Sequence, residues 1–113
     1  MRIIVPQYYV YILTNHYKTT LYTGVTNDLA ARLIEHWLNR NCNVSFAGKF
    51  FCYNLLYYEN FDSIELAISR EKQIKGWVRA KKIALIETSN PDWTFLNEKI
   101  CGKWPPFDFI QRY

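Results

Sequence analysis

Two short apolar segments near the start of the sequence, joined by a polar stretch, constrain the fold more than any other feature. Residues 8–13 and 21–25 are rich in aromatic and β-branched side chains, as strands are, and residues 15–20 between them are polar and typical of a turn. The pattern predicts a β-hairpin with a longer connecting loop, and the remaining elements have to be arranged around it.

The sequence after the hairpin predicts a helix, a loop and a third strand. Thr26 and Asn27 are N-cap candidates for a helix that runs to about residue 39. A polar loop is expected over residues 39–48. Residues 52–59 are then nearly all apolar or aromatic, which is typical of a central strand.

Two further helices are predicted in the second half of the chain. Asp62 and Glu65 have the spacing of a capping box, so a helix is expected from residue 63 to about 78, with a break near its end. A shorter helix over about residues 80–88 should end before Pro91. The order β-β-α-β-α-α predicts an α+β fold in which helices flank a small, antiparallel three-stranded sheet.

The composition favours a polyanionic partner. A chain of 113 residues fits one domain, and a hydrophobic content of 50% with 18% aromatic residues excludes a disordered chain. The net charge of +4 is unevenly distributed. Basic side chains cluster in one segment: Arg70, Lys72, Lys75, Arg79, Lys81 and Lys82. The cluster is either a solvated helical face or a surface that holds a nucleic-acid backbone.

The cysteines and the hydropathy bear on the cellular compartment. Three cysteines without a CxxC pair argue against a disulfide framework and against a zinc site, and they favour a reducing compartment such as the cytoplasm. No apolar run is long enough to span a membrane, so no membrane partner is expected. Residues 1–13 are interrupted by Pro6 and Gln7 and lack a cleavage site, which argues against a signal peptide.

One carboxylate is predicted on the core-facing side of the second long helix. At 3.6 residues per turn, Glu71 falls in the middle of an apolar stripe made of Ile64, Ala67, Ile68, Ile74 and Val78. A buried carboxylate is costly unless a cation or a donor compensates it. Glu71 is therefore either ion-paired with Lys75 one turn on, or a metal ligand or general base at the floor of a cleft.

The first helix carries an Arg–His pair beside its own apolar stripe, which consists of Leu29, Leu33 and Trp37. Arg32 and His36 lie one turn apart at the edge of that stripe. Together they can clamp a phosphate, because arginine presents a rigid fork of donors to phosphate oxygens. The alternative is that both side chains merely cover apolar surface.

The hairpin contributes tyrosines that face either the core or a site. Tyr9 and Tyr11 share one face of the first strand, and Tyr22 lies on the second. Buried tyrosines usually belong to the core and find a hydrogen-bond partner. Beside a metal and a cationic group, however, the pKa of a phenol is expected to fall, and the phenol can then act as a base.

The combination of these residues resembles the GIY-YIG nuclease superfamily, and within it the small, stand-alone, single-domain bacterial proteins. Tyr9-Val10-Tyr11 resembles the first triplet and Tyr22-Thr23-Gly24 the second, although Tyr9 replaces a glycine and Thr23 an isoleucine. The segment with Arg32 and His36 is similar to the helix that bears the family's arginine and histidine. The segment around Glu71 is similar to the helix of its metal-binding glutamate. The resemblance covers about residues 8–93.

The resemblance implies an endonuclease that hydrolyses phosphodiester bonds in nucleic acid, with DNA expected and with a role in DNA repair or processing. The implied catalytic residues are Tyr11, Tyr22, Arg32, His36 and Glu71. One Mg²⁺ ion, with Mn²⁺ as a substitute, is expected on Glu71. Tyr11 or Tyr22 would deprotonate the attacking water, with Tyr11 slightly favoured. The basic segment would bind the nucleic-acid backbone, and a partner protein could supply specificity.

Two other functions stay open beside the nuclease. One is a nucleic-acid-binding module of the same fold without cleavage, and the other is a protein-interaction domain in which Glu71 is ion-paired. The implied nuclease domain spans residues 1–96, and residues 97–113 form an aromatic C-terminal extension. The family often has an asparagine near the end of the domain, for which Asn90 is the candidate.

Overall fold

A three-stranded antiparallel sheet, with helices on both faces, forms the centre of the molecule. The computed structural model describes residues 6–107. In chain order the elements are β1 (Tyr8–Thr14), β2 (Leu21–Thr26), α1 (Leu29–Leu38), α2 (Phe46–Lys49), β3 (Asn54–Phe61), α3 (Ile64–Lys75), α4 (Arg79–Ser89) and α5 (Asn97–Cys101). The predicted hairpin, the antiparallel three-stranded sheet and the α+β class are confirmed. The ends of the chain, including the last part of the aromatic extension, lie outside the described residues.

The central strand is β1, which pairs with β2 on one side and with β3 on the other. The prediction that residues 52–59 form the central strand is therefore wrong, because within residues 6–107 β3 pairs with β1 alone. The sequence is misleading here since Leu55 and Leu56 are buried on opposite faces of the sheet. An edge strand that is covered on both faces is as apolar as a central one.

Alternation along β1 assigns its side chains to two cores. Val10 and Ile12 pack under α3 and α4, whereas Tyr11 and Leu13 face α1 on the other side of the sheet. All four are fully buried, and burial of such side chains contributes about 1.5–3 kcal/mol each. Because β1 is buried on both faces, it holds the side chains that face α1, such as Tyr11, in fixed positions.

Two helix starts differ from the predictions by one or two residues. The N-cap of α1 is Asp28, whose Oδ1 accepts a hydrogen bond from Ala31 N at 3.0 Å, and not Thr26 or Asn27. The N-cap of α3 is Ser63, one residue after the predicted Asp62. A capping oxygen has to reach the free N–H groups of the first turn, so backbone geometry selects among neighbouring candidates.

The apolar stripe predicted on α3 is narrower than expected. Ala67 and Ile74 are buried against the sheet, whereas Ile64 and Ile68 are exposed. Val78 is also exposed and lies outside the helix, which ends at Lys75, so that Val78 is the N-cap of α4. α3 uses only this narrow face because it lies across the hairpin near its β2 edge.

The predicted loop over residues 39–48 contains the short helix α2. Its N-cap is Ser45, whose Oγ accepts a hydrogen bond from Gly48 N at 3.0 Å. A Cβ at position 48 would lie 2.6 Å from Asn39 O and 2.7 Å from Cys42 O, so only glycine fits there. The loop is therefore folded tightly against the end of α1.

The first residues of the predicted C-terminal extension pack on the domain. Asn97, at the start of α5, is buried, and its side chain accepts a hydrogen bond from Leu55 N at 2.7 Å and donates one to Tyr53 O at 2.8 Å. α5 also contacts α1. Among the described residues, no helix is both long and apolar enough to cross a membrane.

Candidate active site

The Tyr11 phenol lies across the second strand of the hairpin. Tyr11 is paired with Gly24 in the β1–β2 register. A Cβ at position 24 would overlap the hydroxyl and the ring of Tyr11, so any residue larger than glycine would displace the phenol. The glycine of the second triplet thus makes room for the tyrosine of the first, and the Tyr11 hydroxyl extends toward the edge of the sheet.

His36 on α1 meets both tyrosines of the hairpin. Its Nε2 atom is 2.9 Å from the Tyr11 hydroxyl. The His36 ring centroid lies 5.7 Å from that of Tyr11 and 5.3 Å from that of Tyr22, and the two tyrosine rings are 6.3 Å apart. The three rings form one cluster between the hairpin and α1, as the predicted site requires.

The electrostatics of this cluster decide its protonation. Burial raises the pKa of Tyr11 to about 12, although the neighbouring Arg32 acts in the opposite direction. Burial, with the positive charge of Arg32, lowers the pKa of His36 to about 4. At neutral pH the phenol is therefore protonated and the imidazole neutral, so the phenol can donate to Nε2. The predicted lowering by Arg32 is present, but burial outweighs it.

Arg32 lies between Tyr11 and the solvent. Its Nη1 donates a hydrogen bond to Glu35 Oε2 at 2.7 Å, and the side chain is 43% exposed. The same guanidinium is close enough to the Tyr11 hydroxyl to interact with it. Within the described residues, its Nε atom is buried and makes no hydrogen bond. Among these residues, Arg32 therefore has one buried donor without a partner, Nε, and another donor, Nη1, that pairs with the exposed carboxylate of Glu35.

Glu71 approaches the cluster from α3. Its side chain is 15% exposed, and its negative charge is one of the causes that raise the pKa of Tyr11. Lys75 Nζ is 3.5 Å from its Oε2, which is longer than the 2.7–2.9 Å typical of a strong charged hydrogen bond. The ion pair considered from the sequence thus exists, but it is loose, and Lys75 is 52% exposed.

The chemistry of the donors bears on the kind of metal that the site could hold. In residues 6–107 no three His, Cys, Asp or Glu side chains come together as a metal-binding group. Mg²⁺ is an ion that a single carboxylate can hold, because it commonly takes one or two carboxylates and keeps several of its waters. Glu71, nearly buried beside a loosely held lysine, is a carboxylate of this kind.

The model of the GIY-YIG catalytic domain matches residues 7–84 of the chain, and all five predicted site residues lie inside that range. The chain belongs to the GIY-YIG family. Related proteins are UPF0213 proteins of Streptococcus pyogenes, among them those of serotype M5 (strain Manfredo) and serotype M3 (strain SSI-1). Each is 42% identical over 85 residues, which cover 71% of this chain and 85% of the relative.

A solved structure is also similar to this GIY-YIG domain. It is the solution NMR structure of the UPF0213 protein BH0048 from Bacillus halodurans, with 28% sequence identity and a TM-score of 0.49. The likeness covers 77% of this chain and 89% of that one. Membership of the family means that the chain has a nuclease-type domain, and the small stand-alone relatives agree with the resemblance seen in the sequence.

The six basic residues of the GIY-YIG domain do not form one uniform surface. Lys75 and Lys82 line a cavity of about 310 Å³ beside Tyr22. Arg70 instead donates two hydrogen bonds of 2.9 Å to Glu59 on β3. Lys81 lies over the Trp77 ring, Arg79 approaches the backbone oxygen of Lys18, and Lys72 is exposed. Of the six, Lys75 and Lys82 are thus the ones that face the candidate site.

Phe46 is a site neighbour that sequence analysis missed. It belongs to α2, and its ring is stacked on Tyr22 with a centroid distance of 6.3 Å and an interplanar angle of 29°. The predicted polar loop over residues 39–48 contains Phe46, and Phe50 and Phe51 follow it directly. Phenylalanines at positions 46 and 50, one helical turn apart, were the signal that could have identified it.

Asn90 has a structural explanation. It is buried at the end of α4, and its Nδ2 donates hydrogen bonds to Leu56 O at 3.0 Å and to Thr94 O at 2.8 Å. Its Oδ1 accepts a hydrogen bond from Thr94 N at 3.0 Å. The side chain therefore ties α4 and the following turn to β3, and these bonds account for its burial.

Proposed function

We propose that this GIY-YIG domain is a divalent-metal-dependent endonuclease that hydrolyses phosphodiester bonds in nucleic acid. DNA is the expected substrate, and DNA repair or processing the expected context. One observation carries the proposal: the rings of Tyr11, Tyr22 and His36 form one cluster beside Arg32, and Lys75, which pairs with Glu71, lines the same cavity as Tyr22. A guanidinium, an imidazole and a carboxylate around one phenol are typical of a functional site and not of a hydrophobic core.

Arg32 is proposed to bind the phosphate of the substrate. Its pair with Glu35 is exposed, and pairs of this kind contribute only about 0–1 kcal/mol, so a phosphate can compete for the guanidinium at low cost. The two Nη atoms of the guanidinium lie in one plane and carry its remaining donors. A planar fork of this kind fits two phosphate oxygens and neutralises the charge that develops on them.

Tyr11 is proposed as the general base that takes a proton from the attacking water, with Tyr22 as the alternative. A phenol can accept that proton only after losing its own, and the neutral His36 imidazole at 2.9 Å is placed to relay it to the solvent. The positive charge of Arg32 helps to keep the pKa of His36 low. A phosphate bound to Arg32 offsets that charge, so substrate binding itself makes His36 a better acceptor.

Glu71 would hold one divalent metal ion, Mg²⁺ or in its place Mn²⁺. The support is its near-burial, its loose pair with Lys75 and the cavity that Lys75 shares with Tyr22. When bound, such an ion stabilises negative charge on a non-bridging phosphate oxygen. Lys75 loses its partner when a cation occupies the carboxylate, and it is then available to the nucleic-acid backbone beside Lys82.

A nicking assay on supercoiled plasmid with Mg²⁺, with Mn²⁺ and with EDTA tests the proposal. Wild-type protein should nick the plasmid only with metal, and Glu71→Gln should abolish nicking while DNA binding and melting temperature stay nearly unchanged. Glu65→Gln, the same change at an exposed carboxylate on the same helix, is the matched control and should nick normally. Absence of metal-dependent nicking by the wild-type protein would reject the enzyme.

The second candidate is a nucleic-acid-binding module of the same fold that does not cleave. The Glu71–Lys75 pair favours it, because it provides a structural partner for the carboxylate. Under this hypothesis wild-type protein binds DNA without nicking, and Glu71→Gln lowers the free energy of unfolding instead of an activity. A partner protein that supplies specificity is compatible with both candidates, and the three free cysteines suit the reducing cytoplasm: Cys42, Cys52 and Cys101.

A further inference from the structure

We propose that Phe46 and Phe50 form a platform on which unpaired bases stack, so that the nuclease takes single-stranded nucleic acid, or a single-stranded branch, across α2 into its cleft. The inference rests on the proposed function and names the class of substrate for that same site. We call these two phenylalanines the α2 platform.

Burial in and next to α2 is the reverse of the usual pattern, in which large apolar side chains are buried and small ones are exposed. The buried residues of α2 are the small ones, Ala47 and Gly48. The large aromatic residues face the solvent, with Phe46 54% and Phe50 40% exposed. Exposed aromatic side chains that adjoin one another indicate a binding surface, because burial within the fold would otherwise be more favourable for them.

The α2 platform is continuous with the cleft. Phe46 is stacked on Tyr22, whose ring in turn meets that of His36. Phe50 follows at a centroid distance of 4.7 Å from Phe46, with the two rings tilted by 49°. Beyond Phe50, a second cavity of about 270 Å³ is lined in part by Tyr17 and Phe51. A path of aromatic surface therefore leads away from the residues proposed to act on the phosphate.

Positive charge runs along the same path. Lys75 and Lys82 line the cavity of about 310 Å³ opposite Phe46, and Lys49 lies 5.6 Å from the centre of the Phe50 ring. Aromatic rings and lysines side by side match the bases and the phosphates of a single strand. A hydrophobic protein segment would offer these ammonium groups no negative charge, so the charge favours nucleic acid.

The geometry favours a single strand over a duplex. In a duplex the faces of the bases are covered by their neighbours, and only edges and backbone are offered to a protein. Rings such as Phe46 and Phe50 can gain stacking energy only from bases that are unpaired, and such stacking tolerates any base sequence. The expected preference is therefore for single-stranded structure, without strong dependence on sequence.

Binding measured without cleavage tests the inference. In EDTA, fluorescence anisotropy would give the Kd of the protein for a labelled oligo(dT) strand and for a duplex of equal length. Phe46→Leu and Phe50→Leu should each weaken strand binding about tenfold and leave duplex binding unchanged, since stacking contributes roughly 1–3 kcal/mol per base. Phe46→Tyr, which keeps an aromatic face, should restore the wild-type Kd.

Leu66→Ala is the matched control, because Leu66 is an exposed apolar side chain on α3 and lies about 140° around that helix from Glu71. It should leave both Kd values unchanged. Wild-type strand affinity in both leucine variants would overturn the inference.

Other results identify other occupants. If the protein is a dimer by analytical ultracentrifugation, and the leucine variants are monomers with unchanged strand affinity, the α2 platform is a self-association surface and the inference fails. Failure of the nuclease proposal is seen separately. If the protein prefers the single strand through these phenylalanines but never nicks DNA, the α2 platform is supported and the nuclease activity is rejected.

Discussion

Tyr11 is surrounded by groups that act on its proton in opposite directions. Burial raises its pKa to about 12, Arg32 opposes that rise, and Glu71 adds to it. Bound phosphate and metal would change both charges at once, so the phenol in the free protein is poised for a change that substrate brings. The pH dependence of the rate is therefore the most direct observation of this residue.

The first prediction concerns the pH dependence of cleavage. Because the pKa of Tyr11 lies at about 12, its deprotonated fraction grows roughly tenfold per pH unit through the range in which the protein is assayed. Cleavage at saturating Mg²⁺ should therefore rise from pH 6 to pH 10. Tyr11→Phe should remove both the rise and most of the rate, whereas Tyr22→Phe should lower the rate but keep the slope.

The slope also separates the tyrosines from His36. The pKa of His36 is about 4, so a histidine base would already be neutral at pH 6 and would give a flat profile above it. A flat profile in the wild type would remove Tyr11 from the role of base. A rising profile that survives in both phenylalanine variants would exclude both tyrosines.

The second prediction is that Arg32→Lys lowers the turnover rate by about 10²-fold, by analogy with the loss of one preorganised donor. Lysine keeps the charge but loses the planar fork and the buried Nε donor. Single-turnover cleavage gives the rate, and thermal melting checks the fold. The control is Arg79→Lys, because the contact of Arg79 with Lys18 O is exposed. Equal rates for the wild type and Arg32→Lys would contradict the role.

At the scale of elements, the hairpin and α1 act as one unit. The β1–β2 register sets Tyr11 opposite Gly24, and α1 brings His36 to 2.9 Å from the phenol. Neither element forms the cluster alone. The missing Cβ at position 24 is what allows the tyrosine ring to lie over the neighbouring strand.

The third prediction is that Gly24→Ala damages the site through Tyr11. The added methyl group overlaps the phenol, so either the ring moves or the strands separate, at a cost of about 1–3 kcal/mol in the free energy of unfolding. Urea denaturation measures that cost, and nicking should be lost as well. The double variant Gly24→Ala/Tyr11→Leu should recover stability but no activity. Full activity in Gly24→Ala would show that the phenol position is unimportant.

At the scale of the whole molecule, the sheet is enclosed by two helical layers, and the later part of the chain closes one of them. α5 packs against α1, the helix that carries Arg32 and His36. Asn97 connects α5 to the start of β3 through two hydrogen bonds. We propose that residues 97–107 contribute to the stability of the domain that precedes them, although the family model ends at residue 84.

The fourth prediction tests this contribution. Asn97→Ala removes the partner of the buried Leu55 N and that of the partly buried Tyr53 O, and an unsatisfied buried group costs about 1–3 kcal/mol. The free energy of unfolding in urea should fall accordingly. Asn39→Ala, a change at an exposed asparagine, is the control and should have little effect. Unchanged stability of Asn97→Ala would mean that α5 is a dispensable appendage.

Local patterns in the sequence were sufficient for the three strands, for α1, α3 and α4, and for the family. Aromatic and β-branched segments around a polar turn identified the hairpin, and helical spacing placed Leu29, Leu33 and Trp37 on the buried side of α1. The order and spacing of Tyr11, Tyr22, Arg32, His36 and Glu71 indicated the family. These features depend on residues close in sequence, or on a motif whose spacing the backbone preserves.

Only the tertiary structure decided which strand is central, which cation meets which carboxylate and how each group is protonated. β3 was mistaken for the central strand because burial on two faces, which its composition reports, does not reveal how many strands pair with it. Arg70 was counted with the nucleic-acid surface, yet it pairs with Glu59 from a distant strand. The pKa of Tyr11 depends on desolvation by the elements packed around it, and Phe46 reaches Tyr22 through a folded loop. Each depends on contacts between segments far apart in the chain, which periodicity does not encode.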